Sequence, residues 1–185
     1  MMHNFNMKNY SDHIAIIGAG IAGLTLGIML KKNNIPNVIF ERSSDVSENG
    51  AGISISPNGK RVLEKLEILD ELQINSGNSE KSIFYWNLKE ITTINTNVLT
   101  TSRKCLHDAL LKKYIDLGGN IKFNSELKDI NTKQNQICLK NGEFFKVRHI
   151  AACDGIKSIC HKIESAKNYN PKYSGYTVWR AIFES

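Results

Sequence analysis

The residues with the clearest chemical meaning are three glycines and an acid near the head of the chain. The run Ile14-Ala15-Ile16-Ile17-Gly18-Ala19-Gly20-Ile21-Ala22-Gly23-Leu24 spaces its glycines G-x-G-x-x-G between a β-branched stretch and a helical pattern. Each glycine has its own physical reason. Gly18 permits a tight turn out of a strand, Gly20 lets a pyrophosphate approach a backbone without a Cβ, and Gly23 lets the new helix lie close to the strand. The free N–H groups and the dipole at the helix start then face the phosphates, so Gly18, Ala19, Gly20, Ile21, Ala22 and Gly23 form the candidate binding turn. Val38-Ile39-Phe40-Glu41 reads as a second strand ending in an acid. It lies about 20 residues beyond the glycines, the distance expected for a carboxylate that binds ribose hydroxyls. The alternative is a close helix–strand contact with no ligand.

These residues need a β-α-β unit to position them. The pattern predicts a helix over Gly20–Lys32 with Leu24, Ile28 and Leu30 buried, stopped by Asn33-Asn34 and Pro36. A parallel strand over Asn37–Glu41 follows by a right-handed crossover. Ile14–Leu30 carries no charge, but its length is marginal for a membrane span. Its glycines and its change of periodicity favour strand, turn and helix instead.

Further along, Ile53 and Ile55 alternate as a short strand. Ser56-Pro57 starts a helix with Ser as N-cap and Val62, Leu63 and Leu66 on one face. Ile68–Leu72 reads as a helical turn and Asn75–Glu80 as a turn-rich link. Ser82–Leu88 and Ile91–Leu99 read as antiparallel strands in a second layer. Within them Phe84, Tyr85 and Trp86 read as core packing, with pocket lining as the alternative. Ser102 caps a helix over Arg103–Leu117, ended by Gly118-Gly119, and His107 reads as an exposed position on it. Ile121–Phe123 is a third parallel strand. Leu127–Asn131, Gln136–Leu139 and Glu143–Val147 form a meander with a turn at Asn141-Gly142. A separate apolar strand, His149–Cys153, delivers Asp154-Gly155. A helix over Ile156–Ile163, a loop over Lys167–Pro171 and a β-prone stretch over Tyr173–Phe183 complete the chain.

Bulk properties narrow the function classes. The 185 residues are 41% hydrophobic and 23% charged, ordinary for a globular protein with a real core. The formal charge is +6, but only Arg42, Arg61, Arg103, Arg148 and Arg180 among the 24 basic residues are arginines. A diffuse lysine excess without interleaved aromatics argues against nucleic-acid binding. Cys105, Cys138, Cys153 and Cys160 contain no C-x-x-C pair and fit no zinc spacing, which predicts reduced, mostly buried thiols in a cytoplasmic protein and no metal site. Met1–Tyr10 is polar and reads as a flexible leader.

Four stretches now stand in order: the glycine turn with Glu41-Arg42, Gly50-Ala51-Gly52-Ile53 with Pro57-Asn58-Gly59, Arg103 with Leu106 and Leu110, and Asp154-Gly155 with Ser158. In this combination residues 12–183 resemble the class A flavin-dependent aromatic monooxygenases. The fold this implies is α/β, a Rossmann-like FAD-binding domain with a parallel sheet and a small meander, plus the beginning of a β-sheet substrate layer. Its expected division is 11–74 with 101–165 for the FAD-binding domain and 75–100 with 166–185 for partial substrate-domain strands, after the 1–10 leader.

The resemblance implies that Gly18, Gly20 and Gly23 contact the FAD pyrophosphate, that Glu41 accepts from the adenosine ribose, and that Arg42 lies beside the adenine. Gly52 joins the cofactor-binding set. Arg103 matches the arginine that reaches the ribityl and phosphate region, with a solvated first-turn residue as the alternative. Asp154-Gly155 matches a pair credited with binding both FAD and the nicotinamide donor, and here the alternative is a turn or helix N-cap residue. Trp179 and Arg180 are candidates to face substrate. The implied chemistry uses NAD(P)H to reduce FAD and O₂ to hydroxylate an electron-rich aromatic molecule, and it requires no catalytic side chain.

The chain also departs from the family. It has no Gly-Asp pair, it is about half the family's size, and His161 stands where the family often has arginine. The expectation is therefore an N-terminal part that is inactive alone, needing a second chain for the C-terminal half or self-associating. The alternatives are a non-catalytic FAD/ADP-binding module, a decayed fragment, or an NAD-dependent oxidoreductase.

Overall fold

A computed structural model describes residues 8–45, 52–165 and 172–177. The chain forms two compact units, residues 1–46 with 111–177 and residues 47–110 with 178–185.

The first unit is built on a six-stranded sheet. Strand β1 (Lys8–Ile17) leads through the glycine turn into helix α1 (Ile21–Lys32), and β2 (Asn37–Phe40) returns parallel to β1. Lys31 and Lys32 in the last turn of α1 complement its dipole. Asn34, at φ 56°, then turns the chain toward Pro36. Strands β6 (Ile121–Lys122), β7 (Leu127–Asn131), β8 (Gln136–Leu139) and β9 (Phe144–Ala152) complete the order β6-β2-β1-β9-β8-β7. β6, β2, β1 and β9 run parallel, while β7, β8 and β9 form the antiparallel meander.

Alternation along the strands gives the sheet two apolar faces. Ala15, Ile17, Val38 and Phe40 join Leu127, Ile137, Leu139, Phe145, Val147 and Cys160 in one core cluster. Ile16 and Ile39 face α1, since a Cβ added at Gly23 would lie 3.3 Å from Ile16 and one at Gly27 3.3 Å from Ile39. Tyr114 is fully buried beside Gly27, and its hydroxyl donates to Asn37 Oδ1 at 2.9 Å.

The second unit contains β3 (Gly52–Ile55), α2 (Pro57–Leu66), α3 (Leu69–Ile74), β4 (Gly77–Trp86) and β5 (Lys89–Ser102), with sheet order β3-β5-β4. Ser56 caps α2 as the sequence predicts, accepting from the Gly59 N–H. Helix α4 (Arg103–Asp116) follows β5 and runs on into the first unit. Ser102 caps it by accepting from the Cys105 N–H at 3.0 Å, and Gly118 ends it at φ +70°. Helix α5 (Ile159–Ser165) closes the regular structure of the first unit. Among the described residues no helix is long and apolar enough to cross a membrane.

Several expectations need correction. β1 begins at Lys8, inside the presumed leader, because Tyr10 packs against Phe40 and Phe145. The two strands expected over 143–153 are one strand, since β9 pairs with β1 along its length and β1 absorbs the mismatch in a bulge between Tyr10 and Ile14. β4 starts at Gly77, within the expected link, because the long β5 offers partners as far as Thr100.

His107 is buried, not exposed: its i+3 and i+7 spacing to Leu110 and Tyr114 puts it on their stripe. Leu30 is only half-buried, and Val62 is exposed. Of the four thiols only Cys160 is buried. Phe84, Tyr85 and Trp86 are neither core nor enclosed, because they lie near the tip of the β4–β5 hairpin. α5 starts at Ile159, after a turn at Ile156-Lys157. The described part of the β-prone end, 172–177, holds no strand, and Gly175 there takes φ +88°.

The tight α1 contact yields a stability prediction. A Cβ at Gly27 would lie 2.7 Å from the Tyr114 ring, inside a fully buried neighbourhood. Gly27→Ala gains about 1 kcal/mol of helix propensity but overpacks the site at a cost of about 1–3 kcal/mol. A lower urea midpoint is expected for Gly27→Ala, and an unchanged or raised midpoint would contradict the packing.

Candidate functional site

The parallel strands end level with one another. Ile17 pairs with both Phe40 and Ala152, so the residues that follow them emerge at the same edge of the sheet. Those residues are Gly18, Glu41 and Cys153-Asp154. The crevice outside the carboxyl ends of parallel strands is the general ligand site of such sheets.

Gly18 takes φ +103°, and a Cβ there would lie 2.6 Å from the Cys153 carbonyl oxygen and 3.3 Å from Asp154 Cα. The glycine turn and the Asp-Gly motif are therefore in backbone contact. A Cβ at Gly23 would lie 2.0 Å from the Gly18 carbonyl oxygen, so no other residue permits this approach of α1 to β1. Gly20 differs, because a Cβ there meets nothing within 4 Å. It is the N-cap of α1 in extended conformation, no side chain caps that end, and no acid lies in the first turn. Open space in front of an uncapped helix start suits an anion.

Glu41 and Asp154 flank this turn in different ways. Glu41 Oε2 accepts from the Ala19 N–H at 2.7 Å, and Oε1 accepts from the Ser43 N–H at 2.9 Å. Arg42 beside it is exposed. Asp154 Oδ1 accepts from the Ser158 hydroxyl at 2.6 Å, while Oδ2 accepts from the N–H groups of Ile159 at 2.7 Å and Cys160 at 3.1 Å. The alternative reading of Asp154 as a helix cap thus describes its contacts.

Burial alone would raise the Asp154 pKa, but the Ser158 hydroxyl and the backbone N–H groups outweigh it and hold the carboxyl below its usual value. Burial, followed by the Asp154 charge, pushes the Cys160 thiol up to about 12 and raises the Cys153 thiol as well. Gly155 takes φ +78°, a conformation that favours glycine.

In the second unit, Gly52 pairs with Ser102 at the end of β3 and β5, which places it next to Arg103 in the chain fold. Arg103 is half-buried at the first position of α4, so it is not simply solvated. Trp179 and Arg180 lie outside the described residues.

A β-α-β unit with its glycine turn, an acid on the next parallel strand and an open helix start define a dinucleotide-binding fold. The chain belongs to the FAD binding domain family, whose match spans residues 12–174. It is similar to Monooxygenase 1 of Arabidopsis thaliana, 33% identical over 175 residues, which cover 86% of this chain and 41% of that protein. It is also similar to crystal structures of 2-methyl-3-hydroxypyridine-5-carboxylic acid oxygenase. One of them has a TM-score of 0.75 and 31% identity, over 80% of this chain and 40% of that one. A p-nitrophenol 4-monooxygenase from Pseudomonas putida shares the fold, with a TM-score of 0.76 at 17% identity over 85% of this chain and 44% of that one. The resemblance to class A flavin monooxygenases is thereby shown, and the chain spans about two fifths of the length of these relatives.

One feature escaped sequence reading. The Ala19–Glu41 bond joins residues that only the folded β-α-β unit brings together. Ser158, named with Asp154-Gly155 in the sequence, donates its hydroxyl to Asp154 and accepts from the His161 N–H at 2.9 Å, which caps α5.

The cap predicts a pH dependence. A carboxyl with a lowered folded-state pKa contributes stability that is complete above the unfolded value of about 3.9 and lost as pH falls through the folded value. Asp154→Asn lowers the urea midpoint near neutral pH, and the difference from the parent protein narrows as pH falls below about 4. A difference independent of pH between about 2 and 6 would contradict a charged cap.

Proposed function

We propose that residues Gly18–Gly23 cradle the pyrophosphate of FAD, with Glu41 toward the adenosine ribose, Arg42 beside the adenine, and Asp154-Gly155 supporting the turn. The observation that carries this reading is the open space at Gly20 before an uncapped α1, between two glycines that are packed against backbone. Family membership names the group as FAD.

In this reading each residue acts by position. The first-turn amides of α1 and its dipole hold negative charge. The Glu41 carboxylate accepts from hydroxyls and repels a 2′-phosphate. Gly18 fixes the distance between the turn and Asp154. When bound, FAD would supply the redox chemistry, the hydroxylation of an electron-rich aromatic molecule by O₂ at the expense of NAD(P)H, with the second oxygen atom leaving as water. We assign that activity to this domain together with further polypeptide, in line with the relatives' greater length. A cytoplasmic location accords with the free thiols of the described residues.

The proposed contact with further polypeptide is the β4–β5 hairpin. Trp86 is 71% exposed and Leu88 97% exposed, and Ile83, Phe84, Tyr85, Ile91 and Ile94 are exposed around them. Successive strand residues point to opposite sides, so the hairpin exposes apolar side chains on both faces, and exposure of this kind marks an interacting element. In its absence of a complement, the chain should self-associate in analytical ultracentrifugation, and Phe84→Lys with Trp86→Lys should shift it to monomer. A parent chain that stays monomeric across the accessible concentration range would contradict the assignment.

The cradle is tested by Gly20→Ala. No neighbour obstructs that Cβ, so the thermal midpoint should stay unchanged while FAD affinity, read by flavin fluorescence, falls at least about ten-fold, about 1.4 kcal/mol. Gly23→Ala should instead destabilise the fold. FAD binding by the parent that Gly20→Ala leaves intact would place the pyrophosphate elsewhere, and a parent that binds no FAD would overturn the reading.

A further inference from the structure

Glu41 is held on four sides. Its N–H donates to the Lys122 carbonyl at 2.9 Å, and its carbonyl accepts from the Ser125 N–H at 2.8 Å. Its carboxylate receives Ala19 N–H on one oxygen and Ser43 N–H on the other. The backbone bonds fix the residue to the segment leaving β6. The side-chain bonds reach the glycine turn on one side and the loop after β2 on the other. Loop Arg42–Asp45 is tied in turn to the same segment, since the Ser43 carbonyl accepts from the Asn124 N–H at 2.9 Å. Three chain segments therefore meet on one half-buried acid.

We infer that Glu41 is a positioning residue that buckles the glycine turn into its binding shape before any nucleotide arrives, in addition to contacting a ribose. The inference rests on the nucleotide reading above for its consequence, but not for its geometry. The Ala19 amide lies between Gly18 and Gly20, the residues with the greatest conformational freedom in the turn. A charge-assisted hydrogen bond to that amide is among the stronger constraints a side chain can impose. Each oxygen accepts one N–H and keeps a further lone pair, so the same carboxylate can hold the turn and still accept from hydroxyls. Preorganising the turn in this way lowers the ordering cost of binding.

The two roles separate experimentally. Amide hydrogen exchange in the ligand-free protein tests the buckle by itself. In Glu41→Ala the Ala19 and Ser43 amides should exchange at least about ten-fold faster, while core amides such as Ile16 and Ile39 keep their rates. In Glu41→Gln, which keeps the size but only one acceptor oxygen, one of the two amides should speed up. Unchanged exchange at both amides in either variant overturns the proposal.

Titration with ADP and 2′,3′-dideoxy-ADP tests the consequence. A residue that only accepts from ribose would matter for ADP alone. The buckle predicts that Glu41→Ala also weakens 2′,3′-dideoxy-ADP, by about five-fold or more, the factor expected from losing one constraining hydrogen bond. Dideoxynucleotide affinity that is equal in parent and variant overturns it. A parent that binds neither nucleotide overturns the nucleotide reading, and the exchange rates then decide the buckle.

Discussion

Helix α1 lies so close to the turn that precedes it that a Cβ at Gly23 would sit 2.0 Å from the Gly18 carbonyl oxygen. Much of the first unit follows from that approach. It sets the helix start directly above the end of β1, so the amides of the first turn open at the sheet edge. It also brings Gly27 against Tyr114 and thereby joins α1, the end of α4 and the start of β2 through the Tyr114–Asn37 hydrogen bond. The glycines of the turn have unequal duties. Gly18 and Gly23 are required by backbone packing, whereas Gly20 faces open space, so of the three only Gly20 owes nothing to close packing.

The two acids at this edge divide the remaining work. Asp154 has both oxygens engaged by Ser158 and the start of α5, and it anchors the segment against which Gly18 rests. Glu41 is tied to the turn itself through Ala19 and keeps acceptor capacity beyond those bonds. Asp154 thus supports the turn through backbone packing, and Glu41 through a direct hydrogen bond. Burial and the Asp154 charge raise the Cys153 and Cys160 thiols, so both cysteines stay protonated near neutrality.

The β-α-β unit, the capped helices and the Asp-Gly turn were legible because each is written in local spacing: β-branched runs, Ser before Pro at a helix start, glycine after a helix. What sequence missed depends on tertiary partners. β9 reads as two strands because Arg148-His149 interrupts its apolar pattern, yet β1 offers it a continuous partner. His107 looks polar and outward until Leu110 and Tyr114 define the buried stripe. Phe84, Tyr85 and Trp86 look like core, and they stand exposed because the hairpin extends beyond the elements that bury its base around Leu99. Arg103 and Gly52 come together only through the pairing of β3 with β5.

The central claim is that the edge formed by β2, β1 and β9 is a nucleotide cradle already shaped by the fold. Chemical-shift perturbation on adding ADP to ¹⁵N-labelled protein tests it most directly. The account predicts the largest shifts at the amides of Ala19, Gly20, Ile21 and Ala22, with smaller ones at Arg42 and Gly155 and almost none in the meander β7–β8. Saturable shifts centred elsewhere, or none at the glycine turn, would contradict it.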